Sequence, residues 1–182
     1  MGGFFYFGIL VILVVTGIYI ERCRNQPKEI GLDEVPELVR EEAARRVPTF
    51  VAERAIQKRD SYKLVGQAEG KPLQVKIRLK GRKSNRSLDK IQIQLETRSS
   101  YRSLKGKHLI EQKKVPKLVM QRANEIARTY VGPLDEIIRV KAATVQGRNT
   151  FDIKGWSGNW RVEVELLDDG ELLEVELKPR TN

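Results

Sequence analysis

Cysteine and histidine are nearly missing from this 182-residue chain, which holds one of each, Cys23 and His108. A disulfide needs two thiols, and a zinc site needs three or four clustered Cys, His or carboxylate ligands, so neither a disulfide scaffold nor a Cys/His zinc site can be built. No Ser or Cys stands beside His108, which follows Lys105-Gly-Lys and reads as a surface side chain rather than a base. A Walker-type phosphate loop is absent too, since Gly66-x3-Gly70 falls in a strand and turn rather than ahead of a helix. The acidic stretch 163–176 lacks the ligand order and sixth-position glycine of a calcium loop. No catalytic residue, metal site or cofactor is therefore expected, and the chain reads as a non-enzyme. Aromatic residues make up 7% of the sequence, and the most basic stretch contains only Tyr101, which disfavours single-stranded nucleic acid as a partner.

One long apolar run is present. Residues 2–20, GGFFYFGILVILVVTGIYI, carry no charged side chain. As a helix they would reach about 28 Å, close to the hydrocarbon thickness of a bilayer. Neither a basic leader nor an Ala-x-Ala cleavage site accompanies them, so the expectation is a single-pass transmembrane helix contacting lipid, followed by a juxtamembrane linker at 21–34. Arg22, Arg24 and Lys28 beyond the run favour a cytoplasmic soluble part by the positive-inside rule.

The rest of the chain repeats itself. Val35-Pro36-x-Leu38-Val39 and Val115-Pro116-x-Leu118-Val119 each open an amphipathic helical pattern, and Pro48 and Pro133 follow the two patterns. Tyr62–Gly66 then matches Phe151–Gly155, Leu73–Leu79 matches Trp160–Leu166, and Ile91–Leu95 matches Leu173–Leu177. These stretches alternate apolar and polar residues, the mark of strands with one buried and one wet face. Segments 51–57 and 137–145 have room for a further strand in each copy, and Asp168-Asp169-Gly170 reads as a tight hairpin turn. The expected fold class is α+β: an N-terminal transmembrane helix, then two tandem helix-plus-antiparallel-sheet units at 35–97 and 115–179, joined by a basic connector at 98–114.

The second unit, with Gly158-x-Trp160-x-Val-x-Val-Glu165, the Asp-Asp-Gly170 turn and Leu172-Leu-Glu-Val-Glu176, resembles a PepSY-type repeat. The first unit resembles it more loosely, because Gly81-Arg-Lys-Ser-Asn-Arg-Ser87 replaces the tight turn. The tandem arrangement is similar to double PepSY-like, β-lactamase-inhibitor-like proteins. The resemblance implies a non-catalytic module that binds or restrains a peptidase, usually outside the cytoplasm, against the sidedness that the flanking charges favour.

Charge is unevenly placed. Between Lys76 and Lys117 there are fourteen Lys or Arg and three Asp or Glu, a net +11 that exceeds the +10 of the whole chain. Residues 161–178 carry seven Asp or Glu and two Lys or Arg, a net −5. Three readings stand side by side: solvated faces, a basic stretch meeting anionic lipid or an acidic neighbour, and mutual attraction of the two halves. The expected partner-binding residues are Trp156 and Trp160, facing each other across a three-residue hairpin, and the basic set Lys76, Arg78, Lys80, Arg82, Lys83 and Arg86. The function expected is a membrane-anchored protein-binding module that modulates a peptidase, or else an accessory subunit of a membrane complex.

Overall fold

A computed structural model describes residues 26–95, 107–145 and 147–180. Proline opens both of its helices. Pro36 and Pro116, with near-identical extended backbones (φ −53°, ψ 139° and φ −54°, ψ 136°), precede Glu37–Arg46 (α1) and Lys117–Tyr130 (α2). First-turn amides have no acceptor within their own helix, so a proline there sacrifices little. Helix α2 buries Val119, Ala123, Ile126 and Ala127, a stripe at helical spacing, and α1 buries Val39, Ala43 and the carboxylate Glu42.

The strands are β1 (Lys28–Ile30), β2 (Phe50–Lys58), β3 (Ser61–Ala68), β4 (Lys71–Lys80), β5 (Ser87–Leu95), β6 (His108–Leu109), β7 (Glu136–Val145), β8 (Arg148–Ser157), β9 (Trp160–Leu167) and β10 (Leu172–Pro179). They form one sheet in the order β1-β2-β3-β4-β5-β10-β9-β8-β7-β6, with every neighbouring pair antiparallel. From either edge inward the chain makes the same path: a short strand, then a four-strand meander, with the helix lying between them in sequence.

Two expectations are corrected here. The two strand sets are not separate sheets under separate helices, because β5 pairs with β10 and makes a single ten-stranded layer. Strand alternation on β5 and β10 leaves both with one apolar face and open backbone groups, and pairing satisfies both at once. Nor is there a transmembrane helix in the described structure: among the described residues no helix is long and apolar enough to cross a membrane. Residues 2–20, on which the single-pass membrane location and lipid contact rested, lie outside the described residues, as does Cys23.

Register explains the core. A row of cross-strand partners runs Ala55, Leu64, Val75, Ile93, Val175, Val164, Ile153 and Val140, and every member is at most 3% exposed. Both helices pack into the one apolar cluster on this face. Arg46, at the end of α1, lies 4.3 Å over the Trp160 ring of β9 and donates to the Tyr130 carbonyl at the end of α2 at 2.6 Å. One side chain thus ties the first helix to the second helix and to the far half of the sheet.

The glycines aligned in the two halves, Gly66 and Gly155, share a physical reason. Each lies beside a bulge in the preceding strand, at Ala52/Arg54 and at Ile137/Arg139. A β-carbon on Gly66 would stand 2.0 Å from the Val51 carbonyl oxygen, and one on Gly155 would stand 2.4 Å from that of Glu136. The bulged backbone approaches too closely for any side chain.

Candidate functional site

The sheet face away from the helices is mostly polar, with Ile56, Val65 and Trp156 among its apolar members, and register sorts its charges into bands. One row runs Ile56, Lys63, Lys76, Gln92, Glu176, Glu163, Lys154 and Arg139. The next runs Arg54, Val65, Gln74, Gln94, Glu174, Glu165, Asp152 and Lys141. Both rows cross from a basic flank through central glutamines to a carboxylate band, and both end on cations.

Two depressions follow the bands. On the basic side a groove of about 310 Å³ is lined by Lys58, Lys63, Lys76 and the three glutamines, with Ile56, Ser61 and Pro27 at its outer end. On the acidic side a trough of about 210 Å³ is lined by Asp152, Glu163, Glu165, Glu174 and Glu176, together with Lys107 and Gln92. Gln92 borders both, so the depressions adjoin at the joint between β5 and β10.

The trough places acids directly opposite acids. Glu163 faces Glu176, Glu165 faces Glu174, and Asp152 faces Glu165 across neighbouring strands, pairings that destabilise a sheet unless cations intervene. Several do. Lys107 Nζ is 3.1 Å from Asp152 Oδ2 and 3.2 Å from Glu165 Oε1, and Lys90 is 2.6 Å from Glu176. Gln92 donates to Glu174 at 2.5 Å, while Lys154 and Arg139 approach Glu163 at 3.4 and 3.7 Å. Asp152, Glu165 and Glu174 are buried, at 4%, 6% and 7% exposure. Burial raises the Glu163 carboxyl above the ordinary range; the Asp152 charge, a hydrogen bond shared with Asp152 and the Glu176 charge add to the rise, and Lys154 opposes it.

The residues expected from sequence fall in several places. Lys76 is exposed in the basic groove, Arg78 on the same face is bonded to Asp89, and Lys80 is exposed at the end of β4. Arg82 is exposed in the following turn, and Lys83 opens the short 3-10 turn at 83–85. Arg86 is a structural tie, donating to Asp60 at 2.7 Å and to the Tyr62 hydroxyl at 3.0 Å.

The tryptophan geometry is corrected. The hairpin turn is two residues, Gly158-Asn159, so Ser157 pairs with Trp160 and Trp156 with Arg161. That register puts the rings on opposite faces, Trp160 under Arg46 on the helix side and Trp156 against Arg180, 4.9 Å away, on the polar side.

The carboxylate band was not singled out from sequence as a site. Its signal was present, because Glu163 and Glu165 share a face of β9, and Glu174 and Glu176 share a face of β10. What brought Asp152 and Lys107 to them was tertiary. The rest of the basic connector through Gly106, with Arg98, Arg102 and Lys105, lies outside the described residues. Among the described residues no three His, Cys, Asp or Glu side chains are arranged to hold a metal ion.

No family model matches the chain, and no curated protein matches it, so the expected PepSY assignment finds no support there. Among solved structures, a BLIP-like protein from Bacteroides fragilis aligns with 81% of this chain and 89% of its own, at 14% identity and a TM-score of 0.28. That likeness carries no argument about what this chain binds.

Proposed function

We propose that this chain is a non-catalytic protein-binding module that meets its partner with the polar sheet face. The observation that supports this most is the stack of acid-on-acid pairs in the middle of the sheet. Local choices that oppose folding, kept together in one place, mark sites selected for something other than stability. A face banded basic, amide and acidic also suits a protein surface of reversed banding, which would steer encounter and fix register. Among the described residues the trough lining contains no serine, cysteine or histidine to serve as a nucleophile or imidazole base. The partner class implied by the sequence resemblance is a peptidase, whose activity the module would modulate.

Photo-crosslinking side chains placed at Lys76, at Glu176 and, as a control on the helix side, at Arg128 test the proposal in the source cell. Adducts from the first two and none from Arg128 are expected. The partner so identified should bind the purified chain with an affinity that falls with salt and with Lys76→Glu. Equal crosslinking from Arg128, or binding indifferent to Lys76→Glu, would refute the face. A bound peptidase whose turnover is unchanged would refute the modulatory role alone.

A further inference from the structure

We infer that the basic groove beside the β5–β10 joint receives one aspartate or glutamate side chain of the protein partner, a refinement that rests on the polar face being the binding surface. Register builds the groove. Lys63 on β3 stands directly opposite Lys76 on β4, Lys76 opposite Gln92 on β5, and Lys58 on β2 opposite Ser61 on β3. Like charges facing each other across strands oppose pairing, so Lys63 and Lys76 meet at a cost to the sheet.

Nothing acidic answers them. Among the described residues the lining holds three lysines and no carboxylate. Acids on the adjoining turn and strands are engaged elsewhere: Asp60 by Arg86 at 2.7 Å, Asp89 by Arg78 and Glu174 by Gln92 at 2.5 Å. Glu29 lies beyond Ile56 on β1, exposed and outside the lining. Lys58 and Lys76 are themselves exposed and have neither an ion pair nor a hydrogen bond among the described residues. Ser61 adds a second, independent observation. Its hydroxyl, in the same lining, is buried without a hydrogen-bond partner among the described residues. Buried hydroxyls are normally partnered, and this one can donate to a carboxylate oxygen.

The neighbouring band limits the size of the anion. Glu174 and Glu176 pair with Gln94 and Gln92, so acidic surface begins one strand away, about 4.8 Å across. A nucleic acid or an anionic bilayer laid over the groove would also lie over these carboxylates and be repelled, and the lining has no aromatic ring on which a base could stack. A single acidic side chain avoids that repulsion. Its methylenes fit against Ile56 and Pro27 at the outer end, while its carboxylate takes the ammonium groups and the Ser61 hydroxyl.

The experiment titrates the full chain at low salt with acetyl-Glu-Leu-amide, following backbone amide shifts, with acetyl-Gln-Leu-amide as the blank and inorganic phosphate and oligothymidylate as competing anions. Saturable shifts confined to 56–63, 74–76 and 92–94 are expected, weakening with salt and absent with the blank. Ser61→Ala should weaken binding about tenfold, the loss of one hydrogen bond to a charged acceptor, without lowering the urea midpoint, because the hydroxyl it removes has no partner in the free chain. Lys58→Gln and Lys76→Gln should each weaken it several-fold. Lys80→Gln, which removes the same charge farther along β4, should leave it unchanged. Shifts that do not saturate, equal losses in the Lys76 and Lys80 variants, or unchanged affinity in Ser61→Ala would overturn the socket. Tighter binding of phosphate or of the oligonucleotide than of the glutamate compound would overturn the protein side chain as its occupant. If the glutamate compound fails while Lys76→Glu still abolishes partner binding, the socket is wrong and the binding face stands. If Lys76→Glu is also without effect, the face itself is wrong.

Discussion

Removing Arg46 should uncouple parts of the molecule that are far apart in sequence. Its guanidinium stacks on Trp160 at 4.3 Å and donates to the Tyr130 carbonyl at 2.6 Å, and its side chain is 10% exposed. A largely desolvated cation–π contact is worth about 0.5–2 kcal/mol. A hydrogen bond from a charged donor adds about 1.5–3 kcal/mol. Glu42, also buried, keeps Arg45 2.9 Å from its Oε1 when Arg46 is gone and loses the Arg46 guanidinium 3.6 Å from its Oε2. Arg46→Ala should therefore cost about 2–5 kcal/mol. With a urea slope of about 2 kcal/mol/M, that lowers the unfolding midpoint by about 1–2.5 M. The measurement is urea denaturation of the wild type, Arg46→Ala, Trp160→Leu and the double variant, each followed by tryptophan fluorescence and by far-ultraviolet circular dichroism. The two probes should coincide in the wild type, and the cycle should give a coupling energy of about 0.5–2 kcal/mol between Arg46 and Trp160. A coupling near zero, or two separate transitions in the wild type, would refute the reasoning that this arginine clamps the halves into one cooperative unit.

Two further perturbations address the sheet itself. Gly66→Ala and Gly155→Ala should each destabilise by about 1–3 kcal/mol through backbone contact at the bulges; midpoints unchanged from the wild type in a denaturant series would exclude that account. Glu163 gives a pH signature: because its folded-state pKa lies above the ordinary glutamate value of 4.5, the native chain holds a proton that the unfolded chain has released as pH climbs past that value. Stability should thus be fully retained below that range and decline as pH rises through the raised pKa, and Glu163→Gln should flatten the decline in urea titrations run from acid to neutral pH.

Much of the local structure could be read directly from residue order. Pro36 and Pro116 mark the helix starts because their ring geometry and missing amide suit no interior position. The alternation Val75, Ile77, Leu79 on one side and Lys76, Arg78, Lys80 on the other assigns two faces to β4 without reference to any partner. Other features were not legible. Strands β1 and β6 have three and two residues, too short for a periodic signal to stand out. The turn between Trp156 and Trp160 was misread by one residue, and in a strand a one-residue change moves a side chain to the opposite face. The carboxylate trough went unseen for a related reason: it is assembled from β8, β9 and β10 together with Lys107, which lies 45 residues from Asp152.

The sequence alone determined that each strand would have an apolar and a polar side, that both helices would begin after proline, and that basic and acidic residues would gather in different parts of the chain. These follow from periodicity and backbone chemistry, which act between near neighbours. Only the tertiary structure decided that β5 would meet β10, so that two sets of strands became one sheet with one banded face. Any apolar-faced strand with open backbone groups can accept any other. The choice is made by which pairing buries the row from Ala55 to Val140 beneath two helices while setting Lys90 against Glu176.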